Sequence, residues 1–133
     1  MKTVVALFVA ACAVGCTSSP TSPQNGPLAA GRWSSTTGAC LLVGDSSCNF
    51  VVGCGHGEFS RPIVNPDGTF EVDGTYRVEA GPISIDPPPP AHFSGSVDGS
   101  RLTLTVKPAA MQSATYTVSL SGTSTGVCSV PCV

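Results

Sequence analysis

Charge is scarce in this chain. Six Lys and Arg and eight Asp and Glu make up 11% of 133 residues, against about 25% in an average soluble domain. A nucleic-acid binder needs a basic stripe to displace counterions from phosphates, and none is present, which excludes that class of partner. Helical periodicity is missing as well, and no apolar run reaches the roughly 20 residues that a membrane-crossing helix needs. The nucleophile elbow G-x-S-x-G, the phosphate loop and the dinucleotide fingerprint are all absent, so nothing in the sequence points to the enzymes that carry them.

What fills the space is hydroxyl, glycine and proline. Ser and Thr together number thirty, beside 15 Gly, 12 Pro and 7 Cys. The polar faces of the folded part are therefore hydroxyl faces. A chain of this length has room for one domain with a modest hydrophobic core.

The chain opens "MKTVVALFVAACAVGC", with one Lys, an uncharged apolar run from Val4 to Val14 and small residues ending at a cysteine. That pattern predicts a signal peptide over residues 1–15, and hence export. The stretch "AVGC" from Ala13 to Cys16 resembles the lipobox of bacterial lipoproteins, with Ala13 where that motif usually has Leu, and "VAAC" from Val9 to Cys12 competes as a cut site. The resemblance covers the leader alone. It implies cleavage before Cys16 and acyl chains on its sulfur, which hold a soluble domain on a bilayer at about 0.8 kcal/mol per buried CH₂. It also implies the outer membrane, where the cell has one, because Thr17 stands where an Asp would signal retention. Loss of Lys2 with the leader leaves five basic residues against eight acidic.

From Thr17 to Pro27, "TSSPTSPQNGP" contains no apolar residue and reads as a tether, so residues 16–30 are assigned to anchor and spacer and residues 31–133 to the domain. Within the domain, turn residues recur every eight to twelve positions, which predicts an all-β fold. In "TFEVDGTYRVE", Phe70, Val72, Tyr76 and Val78 share one face with Gly74, while Glu71, Asp73 and Glu79 share the wet face with Thr69, Thr75 and Arg77. An inward glycine such as Gly74 predicts a bulge or bend. The turn "NPDG" at Asn65 to Gly68 joins this strand to an earlier one through Phe59 and Ile63, and Asp98-Gly99 predicts a type I′ hairpin between strands through Phe93 and Leu104. "DPPPP" from Asp86 to Pro90 reads as a stiff connector. With "GRWSS", "ACLLV", "NFVVG" and "TYTVSL", the count is an antiparallel meander of seven or eight strands, closing as a barrel or pairing as a two-sheet sandwich.

Chemistry centres on cysteine. Once Cys12 has left with the leader and Cys16 is lipidated, Cys40, Cys48, Cys54, Cys128 and Cys132 remain as disulfide candidates in an exported chain. Two bridges and one odd thiol fit, with Cys40 paired to Cys48 across the intervening turn and Cys54 paired to Cys128 or Cys132. A zinc or copper site from Cys54, His56, Cys128 and Cys132 is the rival reading, although Cys-x-His followed by a distant Cys-x3-Cys lacks the paired short spacing of zinc ribbons and fingers. His56, within "GCGHG" at Gly53 to Gly57, reads as a residue that serves a turn or hydrogen-bonds locally, and His92 falls on the polar face by parity. The reading is thus a lipid-anchored, disulfide-stabilised envelope protein that acts as a binding or structural module for an unknown protein or small molecule, not as an enzyme, and needs no cofactor. A small barrel carrying an apolar ligand inside Trp33, Phe70, Tyr76, Phe93 and Leu104 is the alternative.

Overall fold

A computed structural model describes residues 25–79, 87–109, 111–121 and 128. The leader, with Cys12 and Cys16, and Cys132 lie outside the described residues. Among the described residues there are ten strands and no helix: β1 (Gly26–Pro27), β2 (Gly31–Ser34), β3 (Cys40–Val43), β4 (Ser47–Val52), β5 (Gly55–Ser60), β6 (Ile63–Val64), β7 (Thr69–Val78), β8 (Pro90–Asp98), β9 (Arg101–Pro108) and β10 (Ala114–Leu120). Eight of them form a closed antiparallel barrel in the order β10-β2-β3-β4-β5-β7-β8-β9. The sheet had to bury one apolar face, and it does so against itself, as a barrel and not as a sandwich.

Eight strands enclose an interior just wide enough for side chains to fill. Trp33, Leu41, Phe50, Phe70, Phe93, Leu102, Leu104 and Val118 occupy it, each at most 1% exposed. Phe59 stacks on Phe93 with ring centres 4.4 Å apart, and Phe50 meets Tyr116 at 5.3 Å. Such density needs gaps in the wall, and inward glycines supply them. A Cβ on Gly57 would stand 3.0 Å from the Phe93 ring, one on Gly95 would run into Phe70, and one on Gly55 into Tyr76. Towards β8 the predicted bulge at Gly74 is absent, because the register runs unbroken from Asp73↔His92 through Gly74↔Ala91 to Thr75↔Pro90, while the ladder to β5 ends at Phe59↔Gly74. What requires glycine there is close approach: a Cβ would collide with the Glu58 carbonyl oxygen.

The turns follow from the residues that form them. Gly68 donates to the Asn65 carbonyl at 2.9 Å and adopts φ +87°, while the Asp67 carboxylate accepts from the Thr69 amide and hydroxyl. In the β8–β9 hairpin Asp98 pairs with Arg101, so Gly99 and Ser100 form the loop. Only Gly99 has positive φ, at +59°, which is the pattern of a type II′ turn and not the predicted type I′. Gly53, at φ +55°, and Cys54 make the same kind of two-residue loop between β4 and β5.

The folded part begins before Gly31. β1 pairs with β6, and Leu28, 1% exposed, plugs that end of the barrel beneath Val64 and Pro62. Its carbonyl accepts from Arg61 Nε at 2.8 Å, its amide donates to the Pro62 carbonyl, and the Ala29 carbonyl accepts from Trp33 Nε1 at 3.1 Å. A polar neighbourhood hid this single apolar anchor from composition.

Candidate functional site

Alternation along each strand decides which side chains leave the packed interior. On the outer face of β7, β8 and β9, Asp73 lies opposite His92 and His92 opposite Lys107, while Glu71 lies opposite Ser94. His92 Nδ1 stands 2.8 Å from Asp73 Oδ1, and its Nε2 3.6 Å from Glu71 Oε1. The Asp73 hydrogen bond above all, with Glu71 adding to it, raises the His92 pKa above its ordinary value. Beside this cluster a surface groove of about 630 Å³ is lined by Asp73, Pro90, Ala91, His92, Lys107 and Pro108, with Ala109 at its rim. It lies at the end of the barrel opposite the Leu28 plug, and prolines keep its walls short of backbone donors.

A smaller polar cluster sits on β5 and β7. His56 pairs with Arg77 across the strands, and Glu79 just beyond β7 reaches both: Oε1 is 3.1 Å from Arg77 Nη2, and Oε2 is 3.5 Å from His56 Nε2. "GCGHG" is thus resolved into parts. Gly53-Cys54 turns the chain, Gly55 and Gly57 seat aromatic rings inside, and His56 stands outward in a strand and not in a turn.

The cysteines divide differently from the sequence expectation. Cys40 is bonded to Cys128, with Cα atoms 5.8 Å apart and a sequence separation of 88. The expected Cys40–Cys48 pair cannot form, since Cys40 lies opposite Val51 and Cys48 opposite Val43. Those two positions are three residues apart along the ladder and on opposite faces, beyond the reach of a bridge. Cys48 is a free thiol inside the barrel at 0% exposure, where burial pushes its pKa up to about 12 against a smaller lowering by Arg61. Cys54 is disulfide-bonded too, so it and Cys128 are withdrawn from the four-ligand metal set that the sequence offered with His56 and Cys132. Among the described residues no group of three or more His, Cys, Asp or Glu is arranged to hold a metal ion.

Each histidine stands beside carboxylates, His92 at Asp73 and Glu71 and His56 at Glu79. Among the described residues neither makes a hydrogen bond to a Ser or Thr hydroxyl, and His92 Nε2 faces a carboxylate where a nucleophile relay would place an oxygen to deprotonate. Arg61 escaped sequence reading altogether, since a lone basic residue after a strand carries no signal that it will hold the Leu28 and Asp45 carbonyls. No protein-family model, no curated protein and no solved structure matches the chain.

Proposed function

We propose that the protein is an exported domain, held on a bacterial membrane by acyl chains at Cys16, that works as a binding or structural module of the cell envelope and performs no catalysis. The carrying observation is the packed barrel: aromatic and aliphatic side chains of the chain itself occupy the interior. Recognition therefore belongs to the outer surface, where the groove at Asp73, His92 and Lys107 combines an apolar floor with charges of both signs. The reading of the barrel as a carrier of an apolar ligand loses support for the same reason, and the metal reading loses two of its four ligands to disulfides. Disulfides fit a chain exported to an oxidising compartment.

Anchor position adds an orientation. The spacer from Cys16 joins the domain at Gly26, on the plugged end, so lipidation turns the Leu28 end to the bilayer and presents the groove away from it. The test is detergent-phase partition of the full chain expressed in a lipoprotein-processing bacterium. Partition into the detergent phase that is lost in Cys16→Ala supports the anchor; equal partition of both forms into the aqueous phase rules it out.

A further inference from the structure

Charge along the groove is unevenly matched. Asp73, His92 and Lys107 are register partners in one row across β7, β8 and β9, on the outer face of the barrel. Asp73 and the protonated ring of His92 answer each other at 2.8 Å, and Glu71, just outside the groove, faces the other ring nitrogen at 3.6 Å. Lys107 makes no ion pair among the described residues, so its ammonium is the unmatched charge of the groove wall. Backbone donors are scarce beside it. Pro90 and Pro108 have no N–H, and the Ala109 amide already donates to the Pro90 carbonyl at 3.1 Å. A peptide laid in the groove brings a carbonyl at every residue and finds few N–H groups to pair with it. A hydrocarbon body has no such need. The volume, about 630 Å³, is that of a small-molecule site, for which about 300–1,000 Å³ is usual.

We propose that the groove takes a small organic anion, a monocarboxylate with a compact hydrocarbon body, whose carboxylate docks at the Lys107 ammonium and whose body lies over Pro90, Ala91 and Pro108. The inference rests on the groove being the recognition surface and adds the class of its ligand. His92 makes the affinity depend on pH. Three charged groups face the ring: Asp73 and Glu71 from β7 and Lys107 from β9. With the ring protonated, its charge offsets the two carboxylates and the ligand meets Lys107 with little repulsion. Once the ring is neutral, Asp73 and Glu71 are no longer offset and oppose a further anion, so affinity falls as pH rises through the His92 titration.

Three probes of one shape separate charge from body. The full chain in phosphatidylcholine nanodiscs is titrated with cyclohexylacetate, its neutral amide cyclohexylacetamide and the cation cyclohexylethylamine, and the NMR signals of the Ala91 and Ala109 amides and the Lys107 side chain are followed. At about pH 6 cyclohexylacetate should shift these signals to saturation, with an affinity at least about threefold above that of the amide or the amine. Lys107→Gln, at an exposed position that leaves the fold intact, should remove that advantage. Between about pH 6 and about pH 9 the carboxylate stays ionised, and its affinity should fall about threefold in the native chain and stay level in His92→Gln. Equal or tighter binding of the amine or the amide, or indifference of cyclohexylacetate to Lys107→Gln, overturns the anion while leaving the groove a recognition surface. Failure of all three probes to move the groove signals overturns both.

Discussion

The thiol of Cys48 lies across the ladders from Val43 and Phe59, in surroundings that oppose a negative charge. With its folded pKa pushed up to about 12, against an ordinary 9.0, the folded chain keeps it protonated where the unfolded chain ionises. Its contribution to stability is therefore constant below pH 9 and falls as pH rises from there towards 12. Iodoacetamide at pH 8 should leave Cys48 of the native protein unmodified and label it rapidly once denaturant is added. Replacement by Ser places a hydroxyl in an apolar site and should cost about 1–3 kcal/mol in urea unfolding. His92 has the same direction of pH dependence, but here it is the charged form that the fold favours. Its pKa is raised chiefly by the hydrogen bond to Asp73, so the stabilisation is fully present below the ordinary 6.5 and is lost as pH rises through the raised value. Exposure of the pair keeps that effect small. An NMR titration should place His92 above 6.5 in the native chain and return it towards 6.5 in Asp73→Asn.

Elements were legible where alternation governs them. Phe70, Phe93, Leu104 and Tyr116 announced their strands and faces, since period two with one buried face fixes which side chains point inward, and "NPDG" announced its turn. Two features escaped. Glycine reads locally as a turn residue, so Gly55 and Gly57 hid a strand, and only the rings of Tyr76 and Phe93 arriving from other strands explain why a side chain is forbidden there. Leu28 was hidden because its partners Arg61 and Pro62 are more than thirty residues away. Gly95→Ala must displace the Phe70 ring and press on Leu102, and should destabilise by about 1–3 kcal/mol. Leu28→Ala should cost about 2–5 kcal/mol by emptying the plug, whereas Ile63→Ala, at 61% exposure on the neighbouring β6, should change the urea midpoint little. The candidate site was half legible: parity put Glu71, Asp73 and His92 on the wet face, but their convergence with Lys107 depends on the β8–β9 register, which the sequence pattern leaves free.

At the scale of the whole molecule, the fold combines a packed interior with a β10–β2 joint of two register pairs, which the Ser121 amide and hydroxyl extend by donating to the Arg32 carbonyl. A bridge closing a loop of 88 residues stabilises in the chain-entropy picture by about 4–5 kcal/mol. That is comparable to the whole stability of a small domain. Cysteine connectivity could not be read from sequence because it is set by face and by the final course of the chain, and Cys40 and Cys48 differ in face. The proposed export and anchoring, and the disulfide that the structure shows, all leave their mark on the cysteines. Mass spectrometry of the unreduced protein, extracted from the membranes of an expressing bacterium, alkylated under denaturing conditions and then digested, reads all three. The expected pattern is an amino-terminal peptide beginning at Cys16 with acyl mass on it, a linked pair of peptides containing Cys40 and Cys128, and a single alkyl group on Cys48. An unmodified amino terminus downstream of Cys16, or Cys40 linked to Cys48, contradicts it.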